Sequence, residues 1–95
     1  MVRYVALIKL KAGADGRKVD EWIAATEGLT IQGMRSLKFH RDLGAREGNK
    51  DLVVVADFED EEGYRRYDTD PEHGRIRQEL AVHLIETIDR IQFRV

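Results

Sequence analysis

Apolar and polar residues alternate with a period of two near both ends of the chain and again in its middle, with helical spacing in between. Val2, Tyr4, Ala6, Ile8 and Leu10 alternate with Arg3, Val5, Leu7 and Lys9, which predicts a strand from Val2 to Leu10 whose centre is apolar on both faces. Ala12-Gly13-Ala14-Asp15-Gly16 reads as a loop. Beyond it Val19, Trp22, Ile23 and Thr26 recur at helical spacing up to Gly28, predicting a helix over Gly16 to Glu27. Gln32-Gly33-Met34 turns into a second strand, where Leu37, Phe39 and Arg41 alternate with Lys38, His40 and Asp42. A polar loop, Gly44 to Lys50, precedes a third strand from Leu52 to Phe58. That strand carries Val53, Val54 and Val55 in a row, a run that needs both faces covered.

From Asp60 the pattern is helical again, with Tyr64 and Tyr67 three apart, until Asp70-Pro71 interrupts it. Asp before Pro is an N-cap followed by a first helical residue, so a new helix is expected there. Ile76, Leu80, Leu84 and Ile88 form its expected apolar stripe, flanked by Val82 and Ile85. A last strand follows, with Ile91, Phe93 and Val95 alternating with Arg90, Gln92 and Arg94. The order β-α-β-β-α-α-β suits an α+β fold, a ferredoxin-like four-stranded antiparallel sheet with helices on one face. One sheet face would carry Val5, Leu7, Val53 and Val55, and the other Tyr4, Ala6, Ile8, Leu52, Val54, Ala56 and Phe58. Both are too apolar for water. One set is expected to meet the helices and the other the same face of a second chain, closing a two-fold homodimer.

Length and composition narrow the function classes. The chain has 95 residues, which corresponds to one small domain, 1–95, whose limited core favours self-association. A formal net charge of −2, with 16 basic residues scattered among 18 acidic ones, lacks the electrostatic footprint of a nucleic-acid binder. The longest stretch without charge, Gly28 to Met34, is far short of a membrane span, and Tyr4 to Ile8 between Arg3 and Lys9 is no signal-peptide core. A cytoplasmic location is expected. With no cysteine, disulfides, thiolate catalysis and Cys-based zinc sites are all excluded. The three histidines show no metal-site spacing, and Gly13 and Gly16 lack the pattern and lysine of a phosphate loop, so neither metal nor nucleotide is expected.

Within this frame, the run Asp51-Leu52-Val53-Val54-Val55-Ala56-Asp57-Phe58-Glu59-Asp60-Glu61-Glu62, followed by Tyr67 and Asp70-Pro71-Glu72-His73, resembles the signature of stress-responsive A/B barrel (Dabb) proteins. These are also called dimeric α/β-barrel domains. The opening Arg3 to Lys11 and the closing Ile91 to Val95 are similar to it too. The most specific element is the Tyr-x-x-x-Pro-x-His spacing. The resemblance implies a ferredoxin-like, dimeric α/β barrel. Family functions range from plant stress proteins that form large oligomers to cofactor-free polyketide cyclases. In the cyclase branch the positions matching Tyr67 and His73 serve as hydrogen-bonding partner and acid/base. This chain departs from the pattern at Tyr4, where the first strand often has His, and at Leu52, where a cyclase-type His would fall. It also has Ile31-Gln32-Gly33 in place of Ile-Pro-Gly.

His73 stands at the third position of the helix opened by Asp70 and Pro71, where the helix dipole opposes a protonated imidazole while Asp70 and Glu72 pull the other way. Tyr67 lies where the chain break can fold it back toward His73, and Tyr4 is expected to point at the same cavity, with small Ala6 and Ala56 leaving room. The expected cleft is lined by Tyr4, Leu52, Val54, Tyr67, His73 and Leu84. His83 borders the last helix stripe and His40 lies on a polar strand face. Two readings follow. One is a cofactor-independent enzyme in which His73 removes a proton next to a carbonyl and Tyr67, with Tyr4, stabilises the enolate of an apolar, polyketide-like substrate. The other is a non-catalytic stress-protective oligomer or small-ligand-binding protein in which the same residues lock the helix junction.

Overall fold

The apolar first strand becomes the most enclosed part of a four-stranded sheet in the computed structural model, which covers residues 1–95. The elements are β1 (Val2–Leu10), α1 (Gly16–Glu27), β2 (Met34–Arg41), β3 (Leu52–Phe58), α2 (Glu61–Thr69), α3 (Pro71–Ile76) and β4 (Ile85–Arg94). A π-helical turn (Arg77–Ala81) and a last α turn (Val82–Leu84) continue α3 up to β4. The strand order is β2-β3-β1-β4, with every neighbouring pair antiparallel. This is a ferredoxin-like sheet with its helices on one face. Tyr4 lies opposite Ala56 and Gln92, Ala6 opposite Val54 and Arg90, and Ile8 opposite Leu52 and Ile88. No helix is long and apolar enough to cross a membrane.

Strand alternation divides the sheet as the pattern requires. Val2, Tyr4, Ala6, Ile8, Leu52, Val54, Ala56 and Phe58 are buried beneath the helices, joined by Val19 and Trp22 of α1 and by Ile76 and Leu84. Trp22 meets Phe39 of β2 edge-on, their rings 5.1 Å apart, which anchors α1 across the far edge of the sheet. On the other face Val5, Val53 and Val55 are half-buried and Leu7 is 45 % exposed. Ile91, opposite Val5, and Phe93, opposite Arg3, extend this open apolar band onto β4. No element of the chain covers that face. At one end of the band the Arg3 guanidinium makes a two-pronged bond to Asp57, at 2.7 and 3.0 Å.

Strand and helix limits follow the sequence pattern for β1, α1 and β3, and two corrections fall in the last third. Ile85 and Ile88 do not belong to the final helix. Ile85 has extended backbone, φ −87° and ψ 126°, and Ile88 pairs opposite Ile8 inside the sheet. The free edge of β1 supplies strand partners to a β-branched stretch, and that pairing outweighs a helical periodicity that would otherwise run on. The second correction is inside the helix. After Ile76 the next buried position is Ala81 rather than Leu80, because the π-helical turn inserts one extra residue. The half-buried Leu80 is displaced sideways.

Where Ile31-Gln32-Gly33 enters β2, Gly33 has φ +86°, a conformation that suits glycine. Its carbonyl accepts from the Glu59 N–H at 2.8 Å. A Cβ on Gly63 of α2 would sit 3.0 Å from that carbonyl oxygen, so the start of α2 lies directly on the entry to β2.

Asp70 caps α3: its carboxylate accepts from the His73 backbone N–H at 3.0 Å, with Pro71 at the first helical position. Replacing Asp70 with Ala removes this acceptor and is expected to lower stability by about 0.5–2 kcal/mol. A shifted urea midpoint at unchanged m-value is the readout; an unmoved midpoint would mean that Pro71 alone sets the helix start.

Candidate functional site

Pro71 cannot extend α2, so the chain breaks at Asp70 (φ −60°, ψ 129°) and restarts as α3. The break leaves carbonyls at the end of α2 short of donors: Pro71 has no N–H to offer Tyr67 four residues back, whose carbonyl keeps only a long 3.4 Å bond from the Asp70 N–H. That carbonyl also accepts from His73: Nδ1 lies 2.8 Å from the Tyr67 oxygen. A carbonyl oxygen only accepts, so Nδ1 carries the ring proton and Nε2 keeps its lone pair. No protein group bonds Nε2. The Tyr67 ring stacks on the imidazole, with centroids 4.1 Å apart and planes 24° from parallel. Tyr67 and His73 therefore come together as the break suggested, through ring faces and a backbone carbonyl.

Burial is the largest influence on His73 and holds its pKa below the ordinary histidine value. The Tyr67 carbonyl bond opposes that shift, the nearby Arg77 charge adds to it, and Asp68 and Asp70 oppose it more weakly. The contest between helix dipole and flanking acids that the sequence posed is thus decided chiefly by desolvation, in favour of neutral imidazole. Burial raises the Tyr67 phenol far above its usual range, and it also raises Tyr4 and Tyr64. All three hydroxyls are protonated donors at neutral pH.

These groups open on a cleft of about 330 Å³ between sheet and helices. Of the six residues expected to line it, Tyr4, Val54, Tyr67 and His73 are in its wall. Leu52 and Leu84 are packed in the core outside the wall, 3 % and 4 % exposed. The floor is apolar and includes Ile8, Trp22, Phe39 and Ile76. Ala81, brought inward by the π-helical turn, also faces the cleft. Tyr64 joins the site from α2, its ring 5.6 Å from Tyr4 and 6.4 Å from Tyr67. Two arginines, Arg77 and Arg90, complete the wall. Arg90 alternates with apolar residues on β4 just as Gln92 and Arg94 do, so nothing in the sequence singled it out. Arg77 is one residue beyond the apolar Ile76, a position that the π-helical turn makes part of the cleft.

His40 and His83 are exposed and away from the cleft. Nowhere do three His, Asp or Glu side chains converge in a metal-binding group.

The sequence profile of the stress responsive A/B barrel domain matches residues 2–94. No curated protein matches the chain in sequence. Among solved structures, a dimeric ferredoxin-like protein of unknown function from Thermobifida fusca is 28 % identical. It superposes with a TM-score of 0.88 over 99 % of this chain and 90 % of its own. A hydroxynitrile lyase from Passiflora edulis has a TM-score of 0.84 at 18 % identity, over 99 % of this chain and 92 % of its own. SnoaB, a cofactor-independent oxygenase from Streptomyces nogalater, has a TM-score of 0.79 at 18 % identity, over 99 % and 91 %. At that identity the last two are similar to this chain in fold alone.

The burial of His73 carries a stability consequence. A histidine whose folded-state pKa is depressed binds its proton more readily when unfolded. Its contribution is present above the unfolded value of about 6.5 and is lost as pH falls through the folded value. Wild type is expected to lose more stability between pH 7.5 and pH 5 than His73→Gln does, measured as the difference in urea midpoints. Parallel pH profiles for the two proteins would show that the imidazole is not desolvated.

Proposed function

The chain belongs to the stress responsive A/B barrel domain family, and we propose that it is a homodimeric, cofactor-independent acid/base enzyme of the polyketide-cyclase kind, acting on an enolisable carbonyl compound. The observation that carries this reading is His73: its Nδ1–H is committed to the Tyr67 carbonyl, which leaves a neutral Nε2 beside a mostly apolar cleft. A general base needs that protonation state and that position. Nε2 takes the proton from a carbon between two carbonyls. The Tyr67 hydroxyl, with Tyr4, donates to the enolate oxygen as charge develops there. The enolate carbon then attacks a second carbonyl of the same substrate, forming a carbon–carbon bond, and the imidazolium returns its proton to the resulting alkoxide.

The apolar floor suits a folded polyketide-like chain, and the volume falls at the lower end of the ~300–1,000 Å³ usual for ligand pockets. The fold itself accommodates enzymes, as the hydroxynitrile lyase and the cofactor-independent oxygenase illustrate. The uncovered apolar band of Val5, Leu7, Val53 and Val55 supports pairing of two chains sheet to sheet, and three solved structures of the same fold are described as dimeric.

With poly-β-ketone thioesters as substrates, His73→Ala is expected to lower turnover by about 10²–10⁴. Tyr67→Phe should cost less, since one hydrogen bond to developing charge is lost. Because the free imidazole is the base, the acid limb of the rate profile should fall below pH 6.5. Turnover that survives in folded His73→Ala would remove His73 from the chemistry. Absence of turnover across the substrate panel, together with destabilisation of both variants, would favour the alternative, in which the Tyr67–His73 stack only locks the helix junction of a non-catalytic oligomer.

For the dimer, light scattering at micromolar concentration is expected to give twice the chain mass, and Val53→Asp is expected to give a monomer, because an unpaired buried charge costs several kcal/mol. A wild-type monomer would overturn the pairing.

A further inference from the structure

Strand β4 turns an unusual set of side chains toward the helices. Arg90, Gln92 and Arg94 alternate on the side that Ala6, Tyr4 and Val2 of β1 occupy, where apolar residues are the rule. Two of the three are taken up by α2. Gln92 Nε2 donates to the Tyr64 hydroxyl at 3.1 Å, and Arg94 pairs with Glu61. Arg90 forms no ion pair and reaches the wall of the cleft. Its neighbour across the register, Ala6, is small and fully buried, which leaves space for the arginine stem over the sheet.

The charges in the wall do not cancel. Arg77 lies 3.7 Å from Asp68, which is the one carboxylate there. With two guanidinium groups, one carboxylate, a neutral imidazole and three protonated phenols, the wall carries a surplus of one positive charge, and Arg90 is its unpaired source. Arg90 is exposed at the rim of the cleft, so its guanidinium is free to receive a ligand, and its planar fork fits a carboxylate with two parallel bonds. The floor is aromatic as well as aliphatic, with Trp22 and Phe39 edge to face.

We propose that the cleft selects ligands combining a flat unsaturated body with a carboxylate, and that Arg90 receives the carboxylate. This rests on the proposed function in placing the substrate in the same cleft. It adds that, among enolisable carbonyl compounds, those that also carry a free carboxylate are preferred over neutral ketones, esters or amides. Arg77, held by Asp68, supplies a second donor at the His73 end of the cleft.

The test is calorimetric titration of 2-naphthoate and of 2-naphthamide, equal in shape and different in charge, into wild type, Arg90→Gln, Arg90→Lys and His73→Gln. Wild type is expected to prefer the acid by about tenfold or more, the equivalent of one hydrogen bond to a charged group. Arg90→Gln should bind both probes equally, Arg90→Lys should retain part of the preference, and His73→Gln should retain it all. Since Arg90 is exposed and forms no ion pair, its polar neighbour being the Tyr4 hydroxyl, thermal melts of its variants should stay close to wild type. Equal binding of the two probes by wild type, no binding of either, or an undiminished preference in Arg90→Gln would overturn the proposal. Turnover that survives in His73→Ala while the acid preference stands would overturn the acid/base reading alone.

Discussion

The hydrogen bond from His73 Nδ1 to the Tyr67 carbonyl ties together the end of one helix, the start of the next and the protonation state of the ring between them. It exists because Pro71 breaks the helical hydrogen-bond ladder and leaves the Tyr67 carbonyl with only a long bond from the Asp70 N–H. With the proton spent on that carbonyl, the second nitrogen can only accept, and burial lowers its tendency to take up a proton. The stack with Tyr67 then fixes the ring plane. A backbone discontinuity is thereby converted into an oriented imidazole with one nitrogen free to accept, and no carboxylate takes part in orienting it.

The sheet is the rigid partner of this junction. β1 is flanked by strands on both sides, so Tyr4 and Ala6 are placed by two registers at once. Side chains that reach the cleft from the sheet are held more firmly than those on the loops between β1 and α1 or between β2 and β3. The open face of the same sheet has the opposite character. It is apolar in the middle and carries the Arg3–Asp57 pair at one end, so that in the proposed dimer the apolar area would supply the contact and the charged pair would favour one orientation over others.

How much of this was legible in the sequence depended on which physical rule governed each segment. Val2 to Leu10 and Leu52 to Phe58 are strands by alternation and β-branched content, and the sheet uses them that way. Gly16 to Glu27 begins after Asp15, whose side chain accepts from the Arg17 N–H, and stops before Gly28, so local capping and periodicity agree. Ile85 and Ile88 misled because their spacing continues that of Ile76, Leu80 and Leu84, while a distant strand edge decides their state. In the site, His73 and Tyr67 could be found because a proline marks the break between them. Arg77 and Arg90 could not, since both keep contact with solvent and only the placement of the neighbouring helix shows that they also border the cleft. Leu52 and Leu84 failed as wall residues for the converse reason: apolar positions next to a cleft are more numerous than the surface it exposes.

The π-helical turn gives the cleft a property that side-chain identity alone does not supply. In an uninterrupted helix the residue four beyond Ile76 would be Leu80, and its isobutyl group would project where the methyl of Ala81 now stands. The empty volume therefore depends on the length of the chain between two anchored points as well as on what the chain is made of. Loss of a single residue from Arg77–Ala81 would restore the α-helical register and narrow the space beside Ala81. The length of this turn is thus a determinant of capacity in its own right, separate from the identity of any side chain that lines the cleft.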